Sequence, residues 1–447
     1  MKTTHVGLVW AALVAALLSP TTAHSFCGAY VGAAGAELYN HSSQIMLARS
    51  GNITTLTLAN DYEGDLDEFA LIIPVPEIVD ASQVWTVDED IFRRTDTYSS
   101  PRTVGYACRE ALTERHWPMA TGCGLLVGCG ESDLGAYADG DATGVTVEAQ
   151  FQVSEYDIAI LSATGAGGLI QWLDEHGYAL PEGGEEVFQY YIDAGTYFLA
   201  ARIMLDALPE GKAWLSPLRF TYTSEVFSLP IRMGTISSTG VQDLLLYVMG
   251  DDASGEVGIA NYPRLEVEDE CMWPSDSTRS FGDYYDAVLE EALAHEDRAG
   301  WLVEYSWYQP PPTYDEVWGT VNGQKCDPCV VEDDTPVLIQ PTELGLNAAS
   351  GHFTRIHMRY QPGQVDQDLV FYFKGPTENG QMRFVEYKRE LEFLFPLCGE
   401  GYADDPGECG DAWDDEARPP VSCASAMPPV FSGATFLVLL FLLRRRQ

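Results

Sequence analysis

Val145-Thr146-Val147-Glu148-Ala149-Gln150-Phe151-Gln152-Val153 alternates apolar and polar residues without a break. Successive side chains of a β-strand point to opposite faces, so this spacing predicts a strand with one face buried. The same period recurs on both sides of it. Towards the N-terminus, Glu68–Val75 carries a continuous Phe-Ala-Leu-Ile-Ile run of the buried type, stopped by Pro74 and Pro76. Gln44–Arg49 and Ile53–Ala59 flank Gly51-Asn52, which reads as a hairpin. Towards the C-terminus, Thr196–Leu205, Leu218–Tyr222, Leu244–Met249, Trp301–Tyr305, Thr354–Tyr360 and Asp368–Phe373 are further strands. Three helices are expected: Leu169–His176, ending on Gly177; Glu185–Ala194; and Asp283–Glu296. Strands in runs with a few helices between them define an α+β, β-rich fold with mostly antiparallel sheets and a few short helices. Pro310-Pro311-Pro312 is expected to be an internal linker.

At 447 residues the chain has room for two or three domains, or for one large β-rich unit. Hydrophobic residues make up 46%, enough for a core and incompatible with disorder throughout. The charge is lopsided: 25 Lys+Arg against 67 Asp+Glu, a net −42. That field repels phosphate backbones and excludes nucleic acid as a partner. The acid is absent from both ends, where residues 1–25 hold only Lys2 and residues 423–447 only Arg444, Arg445 and Arg446.

Residues 1–25 join one cation to the apolar run Val6–Leu18 and then to small residues, the make-up of a secretory signal peptide. Ala23-His24-Ser25 would leave Phe26 as the first mature residue, and cleavage after Ala23 is the alternative. Residues 26–398 form the expected ectodomain. Residues 399–422 are rich in Gly, Asp and Pro and read as an acidic disordered linker extended by self-repulsion. Cys423, the apolar stretch Val430–Leu443 and Arg444-Arg445-Arg446 follow, a membrane segment with a basic end that stays in the cytoplasm. This tail resembles the myxobacterial carboxy-terminal sorting signal. The resemblance implies a membrane-bound sorting protease as partner and processing beside Cys423; a plain tail anchor is the alternative.

A secreted chain meets oxidants, so disulfides are expected in the ectodomain. Local pairs are the simplest reading: Cys123 with Cys129, Cys326 with Cys329, and Cys398 with Cys409, with Cys108 and Cys271 as a long-range bridge. Cys326-Asp327-Pro328-Cys329 has the spacing of a redox turn. Acids follow it and Pro336 forbids a long helix there, so a structural disulfide is expected instead. Without a second Cys-x-x-Cys, zinc is not expected.

A further set of segments comes from the opening Phe26-Cys27-Gly28-Ala29-Tyr30-Val31 and from Ala36-Glu37-Leu38-Tyr39-Asn40, Asn60-Asp61-Tyr62-Glu63-Gly64 and Phe69–Pro76. Trp172-Leu173 with Gly177-Tyr178 and Pro181, Leu215–Phe220, the Cys326–Cys329 pair and Thr354-Arg355-Ile356-His357 continue it. Together they resemble the domain-of-unknown-function 2330 family of bacterial secreted proteins, over about residues 26–375. The resemblance implies secretion and a single ectodomain unit, and it names no reaction.

Catalytic motifs fail on inspection. His295-Glu296 begins a zincin pattern, but residue 299 is Ala where the second His belongs. Gly165-Ala166-Gly167 lies between a strand and a helix, but residue 170 is Ile where a dinucleotide motif needs its third Gly. His352 and His357 have no nucleophile beside them in sequence. On Thr354–Tyr360 the residues Arg355, His357 and Arg359 share one face. They fit either a bound anion or, the favoured reading, cross-strand pairing with carboxylates such as those of Glu386–Glu392. Asp133, Asp139 and Asp141, or Asp61, Glu63, Asp65 and Asp67, offer oxygen ligands for calcium, but neither cluster has a loop closed by Glu, and a solvated acidic surface is favoured. No catalytic residue, cofactor or metal site is therefore assigned. The expected function is an exported, cell-surface-anchored ectodomain of the bacterial envelope that binds or builds structure. The alternative is a secreted hydrolase with a dispersed site.

Overall fold

A computed structural model describes residues 29–33, 43–59, 69–106, 144–180, 183–204, 215–237, 240–274, 279–296, 299–309, 314–315, 320–321, 324–325 and 339–404. Six strands form the first sheet: β1 (Ala29–Ala33), β4 (Phe69–Val75), β7 (Val145–Val153), β8 (Tyr156–Ala163), β9 (Tyr178–Ala179) and β10 (Tyr197–Ile203), in the order β7-β8-β10-β4-β1-β9. Eight form the second: β2 (Ser43–Ser50), β3 (Ile53–Leu58), β5 (Val84–Thr86), β11 (Leu218–Thr223), β13 (Gln242–Gly250), β16 (Gly300–Gln309), β20 (Gly351–Tyr360) and β22 (Gly380–Gln381). Their order is β22-β16-β20-β13-β2-β3-β11-β5. Three small sheets complete the set. They are β12 (Ser228–Leu229) with β21 (Leu369–Phe373) and β14 (Val257–Ile259); β15 (Met272–Trp273) with β23 (Arg383–Glu386) and β6 (Arg102–Val104); and β17 (Tyr314–Asp315) with β18 (Thr320–Val321) and β19 (Gln324–Lys325). The helices are α1 (Asp90–Ser99), α2 (Ala166–Glu175), α3 (Gly184–Asp193) and α4 (Phe281–Ala294).

The two large sheets pack face to face. Leu71, Ile73, Ile158, Ile160 and Leu199 of the first meet Ile45, Leu56, Leu246, Ile356 and Met358 of the second in one continuous core. The outer face of the six-stranded sheet buries Ala70, Ile72, Leu161 and Phe198 under Leu169 and Trp172 of α2 and Phe188 and Tyr191 of α3. The outer face of the eight-stranded sheet is covered by Ile91 and Phe92 of α1, and by α4 through Tyr284 and Leu289 around Leu302. The result is a four-layered sandwich, helices outside and two sheets within. It explains why β4 reads as an unbroken apolar run, because its two faces enter two different cores.

The expected α+β, β-rich, mostly antiparallel class is what is observed. The β2–β3 hairpin turns at Gly51, whose φ of 57° suits a residue without Cβ. Two features depart from the sequence reading. The alternation of β7 does not bury one face throughout. A bulge between Val147 and Ala149 swaps the faces, so Val145 and Val147 pack under the helices while Ala149, Phe151 and Val153 enter the core between the sheets. Helix α1 was not foreseen. Its buried side carries Thr95 and Ser99, whose hydroxyls bond back to the carbonyls of Ile91 and Thr95, so no apolar stripe announces it.

The cysteine pairing is also corrected. Cys398 joins Cys271 across 127 residues, so it is not paired with Cys409, nor Cys271 with Cys108. The backbone sets this up: Met272 N–H donates to Pro396 O at 2.8 Å and Cys398 N–H to Met272 O at 3.1 Å, which brings the two Cα atoms to 5.0 Å. Cys108, Cys123, Cys129, Cys326, Cys329, Cys409 and Cys423 lie outside the described residues. So do the signal peptide, the Pro310–Pro312 linker, both acidic clusters, all of the acidic linker beyond Asp404, and Arg444–Arg446. Among the described residues no helix is long and apolar enough to cross a membrane.

A bridge that closes so long a loop should restrict the unfolded chain strongly. Replacing both Cys271 and Cys398 with Ser should cost about 3–5 kcal/mol in urea unfolding. Non-reducing peptide mapping should recover one cross-linked peptide carrying both residues.

Candidate functional site

The outer face of β20 carries a line of charges. Arg355, His357 and Arg359 alternate with Ile356, Met358 and Tyr360, which enter the core between the sheets. The strand is interior, between β16 and β13, so the three cations are buried and need partners. The neighbouring strands supply them. Asp243 of β13 lies directly opposite Arg359 and binds it in a two-pronged contact, Nε to Oδ1 at 2.7 Å and Nη2 to Oδ2 at 2.8 Å. Glu304 of β16 receives Arg355 Nε and His357 Nδ1, the latter at 2.8 Å. His357 Nε2 reaches Asp243 Oδ1, also at 2.8 Å. The helices close both ends: Arg355 Nη1 bonds Asp96 of α1 at 2.7 Å, and Arg359 pairs with Asp286 of α4. The sequence Asp96–Arg355–Glu304–His357–Asp243–Arg359–Asp286 alternates in sign at every step.

Glu304 reaches this face by the ordinary alternation of β16, two residues after Leu302, and the bulge between Val303 and Tyr305 turns Tyr305 to the same side. Trp301 and Val303 point into the core between the sheets, whereas Leu302 and Tyr305 pack on the other side with the charges. The Glu304 side chain is 1% exposed. Burial alone would push its carboxyl up. Arg355 and His357, with hydrogen bonds from His357 and from Tyr285 Oη at 2.6 Å, hold it instead at about 2. Burial would lower the imidazole of His357, but the carboxylates of Glu304 and Asp243 raise it to about 9. The same His357 and Arg359 hold Asp243 well below the usual carboxylate range against its own burial.

This arrangement limits the chemistry. His357 gives both ring N–H groups to carboxylates, so it has no lone pair for a proton, a metal or a substrate. The favoured cross-strand pairing of the Arg355–His357–Arg359 stripe is thus present, but Glu386–Glu392 is not its partner. Glu386 lies on β23, and Glu392 accepts from Tyr387. His352 is an odd number of residues from His357 on the strand and faces the other way. It meets Ser306 Oγ at 2.8 Å, a contact that only the β16–β20 pairing creates, and burial holds its imidazole below the ordinary value. Both side chains are buried, so the hydroxyl faces protein and not a substrate space. His295 caps the C-terminus of α4 and is exposed, and Gly165 caps the N-terminus of α2. Among the described residues no group of His, Cys, Asp or Glu is placed to hold a metal.

A concave site lies on the opposite side of the sandwich, where α2 ends over the six-stranded sheet. Its cavity is about 220 Å³. The floor is apolar, with Ala200 facing Ala159 on one neighbour and Ile72 on the other. The next row is polar: Arg202 lies opposite Asp157 and bonds it at 2.6 Å, and Gln150 donates to the same carboxylate. The roof is the last turn of α2, where the rings of Trp172 and His176 stack at 3.8 Å and His176 Nδ1 bonds Trp172 O. Tyr178 closes one end. Sequence reading marked α2 and the Gly177-Tyr178 turn, but Gln150, Asp157 and Arg202 come from three strands, and no spacing connects them.

The fold and site define a four-layered α+β sandwich with a buried ion-pair line on one sheet and an open groove on the other. The chain belongs to the family described as an uncharacterized protein conserved in bacteria (DUF2330), whose pattern matches residues 21–372. No curated protein and no solved structure gave a match.

Removing Glu304 takes one of two carboxylate partners from each of two buried cations, Arg355 and His357. Glu304→Ala should therefore lose about 3–5 kcal/mol in urea unfolding. Asp286→Ala, at the half-exposed end of the line, should lose no more than about 1 kcal/mol.

The line also sets a pH window. The charged His357, raised from 6.5 to about 9, stabilises the fold fully below pH 6.5, and this is lost as pH rises through 9. Glu304, lowered from 4.5 to about 2, stabilises above pH 4.5, and this is lost as pH falls through 2. The Tm advantage of wild type over His357→Gln should be largest between these limits and shrink from pH 6.5 to 9 in a calorimetric titration.

Proposed function

We propose that this protein is an exported ectodomain of the bacterial envelope, directed there by its C-terminal segment and held by an anchor that replaces it on processing, and that it captures a small ligand in the groove beneath α2. The observation that carries the binding reading is that groove: an apolar floor of alanines beside a polar row, roofed by an aromatic pair. Small-molecule sites combine apolar walls with a few convergent polar groups. The ion-pair line supports a non-enzymatic reading, since its histidine and carboxylates are bonded to one another. Export and tethering rest on the two ends of the sequence: the short apolar run before Phe26, and the acidic linker, Cys423, apolar stretch and terminal arginines.

Two measurements test this. Mass spectrometry of both termini from fractionated cells should find a chain that begins near Phe26 and has lost Arg444–Arg446. Cys423→Ala should accumulate uncut precursor at the inner membrane, and normal processing of that variant would defeat the sorting reading. For binding, a ligand-observed NMR screen should yield compounds whose signals change with wild type but not with Ala200→Leu, which fills the groove. A screen in which every hit survives that substitution would overturn it.

A further inference from the structure

Resting on the groove reading, we infer that the ligand is a small organic cation, an alkylammonium or guanidinium head on a short apolar body. Three features of the cavity favour positive charge. The carboxylate of Asp157 faces it with only 12% of its side chain exposed, so water screens it weakly. The last turn of α2 forms the roof and carries no lysine or arginine, so the partial negative charge of that helix end is not offset there. The whole chain at −42 draws cations towards any cleft.

Arg202, the resident cation at Asp157, sharpens the case. The Arg202 side chain is 54% exposed, and its bridge to Asp157 is of the weak, solvent-facing kind. An incoming ammonium can replace the guanidinium while Arg202 turns out to water. The body of the ligand then covers Ala159, Ala200 and Ile72, where the two alanines leave the room that larger side chains would fill. Gln150 already donates to the Asp157 carboxylate and holds it in place. Arg202 thus occupies the ligand's place when the groove is empty, and its removal should strengthen binding. A ligand held through a carboxylate, phosphate or sugar hydroxyl would need Arg202 and should be weakened by the same change.

Calorimetric titration of the full-length protein separates these cases. Agmatine and cadaverine serve as free cations, Nα-acetyl-lysine methylamide as a protein side chain, pentanol as a neutral isostere and methyl glucoside as a sugar. Agmatine or cadaverine should bind wild type at least tenfold tighter than pentanol. Arg202→Ala should tighten that binding about twofold to fivefold, Asp157→Asn should weaken it at least tenfold, and raised salt should weaken it in wild type. Tighter binding of the blocked lysine than of agmatine would assign the cation to a partner protein within the same chemistry. Cation binding that falls with Arg202→Ala, or that ignores Asp157→Asn, overturns the inference. So does a groove that binds methyl glucoside, with loss in Ala200→Leu, and no cation: the groove reading would survive and its ligand class would change. Should none of the probes bind, and no compound in the wider screen depend on Ala200, both fail together. Asp157→Asn and Arg202→Ala alter one partly exposed pair, so each variant can be checked for wild-type unfolding before the titration.

Discussion

The constraint on which the molecule turns is the burial of one carboxylate, Glu304, between two cations on an interior strand. Taking three positive groups out of water on β20 is unfavourable unless each finds a negative partner in close contact. The eight-stranded sheet meets this by placing acids on both neighbouring strands, and α1 and α4 supply the two end members. The helices are therefore positioned by charge as well as by packing. Tyr285 of α4 bonds the same Glu304, so the helix cannot rotate without breaking a buried hydrogen bond. The outer layer of this half of the sandwich is keyed to one register of β16 against β20.

The other half is arranged on a different principle. The six-stranded sheet has apolar residues on both faces, and its helices sit on leucine and aromatic contacts without a buried charge line. Where α2 stops, the sheet lines a cavity with Ala159 and Ala200 and then with a polar row. The groove follows from a helix shorter than the surface it covers. Side chains that would fill the space elsewhere in the core are here a single methyl group.

Much of this was legible in the sequence, and the exceptions share a cause. The period of two located nearly every long strand, since burial of one face imposes it directly. The apolar run of Glu68–Val75 was rightly read as a buried strand, and the structure adds that its two faces enter different cores. What escaped were the points where backbone irregularity overrides the period. The bulge at Glu148 exchanges the faces of β7 halfway along, and the bulge at Glu304 turns an acid and Tyr305 to the same side. Neither leaves a mark, because a bulge adds no characteristic residue. The basic stripe on β20 was visible, but its partners lie on strands and helices far away in sequence, which only the pairing order reveals. The Cys271–Cys398 bridge was missed for the same reason: nearness in sequence favoured Cys409, and a short parallel contact beside β15 decided otherwise.

The parallel pairing of β2 with β13 has a consequence for how the chain is made. Residues 43–50 wait for residues 242–250, and those in turn for 351–360, before the larger sheet has its centre. Five of the six strands of the other sheet, all but β1, lie in sequence between the first two of these segments. A nascent chain emerging from the ribosome therefore carries β2 and β3 with unpaired, strongly apolar edges until β11 and β13 have been made, and contacts so distant in sequence close slowly. Such a polypeptide remains a substrate for chaperones until nearly all of it has been translated, and a fragment ending anywhere before Tyr360 has no central strand on which to complete its fold.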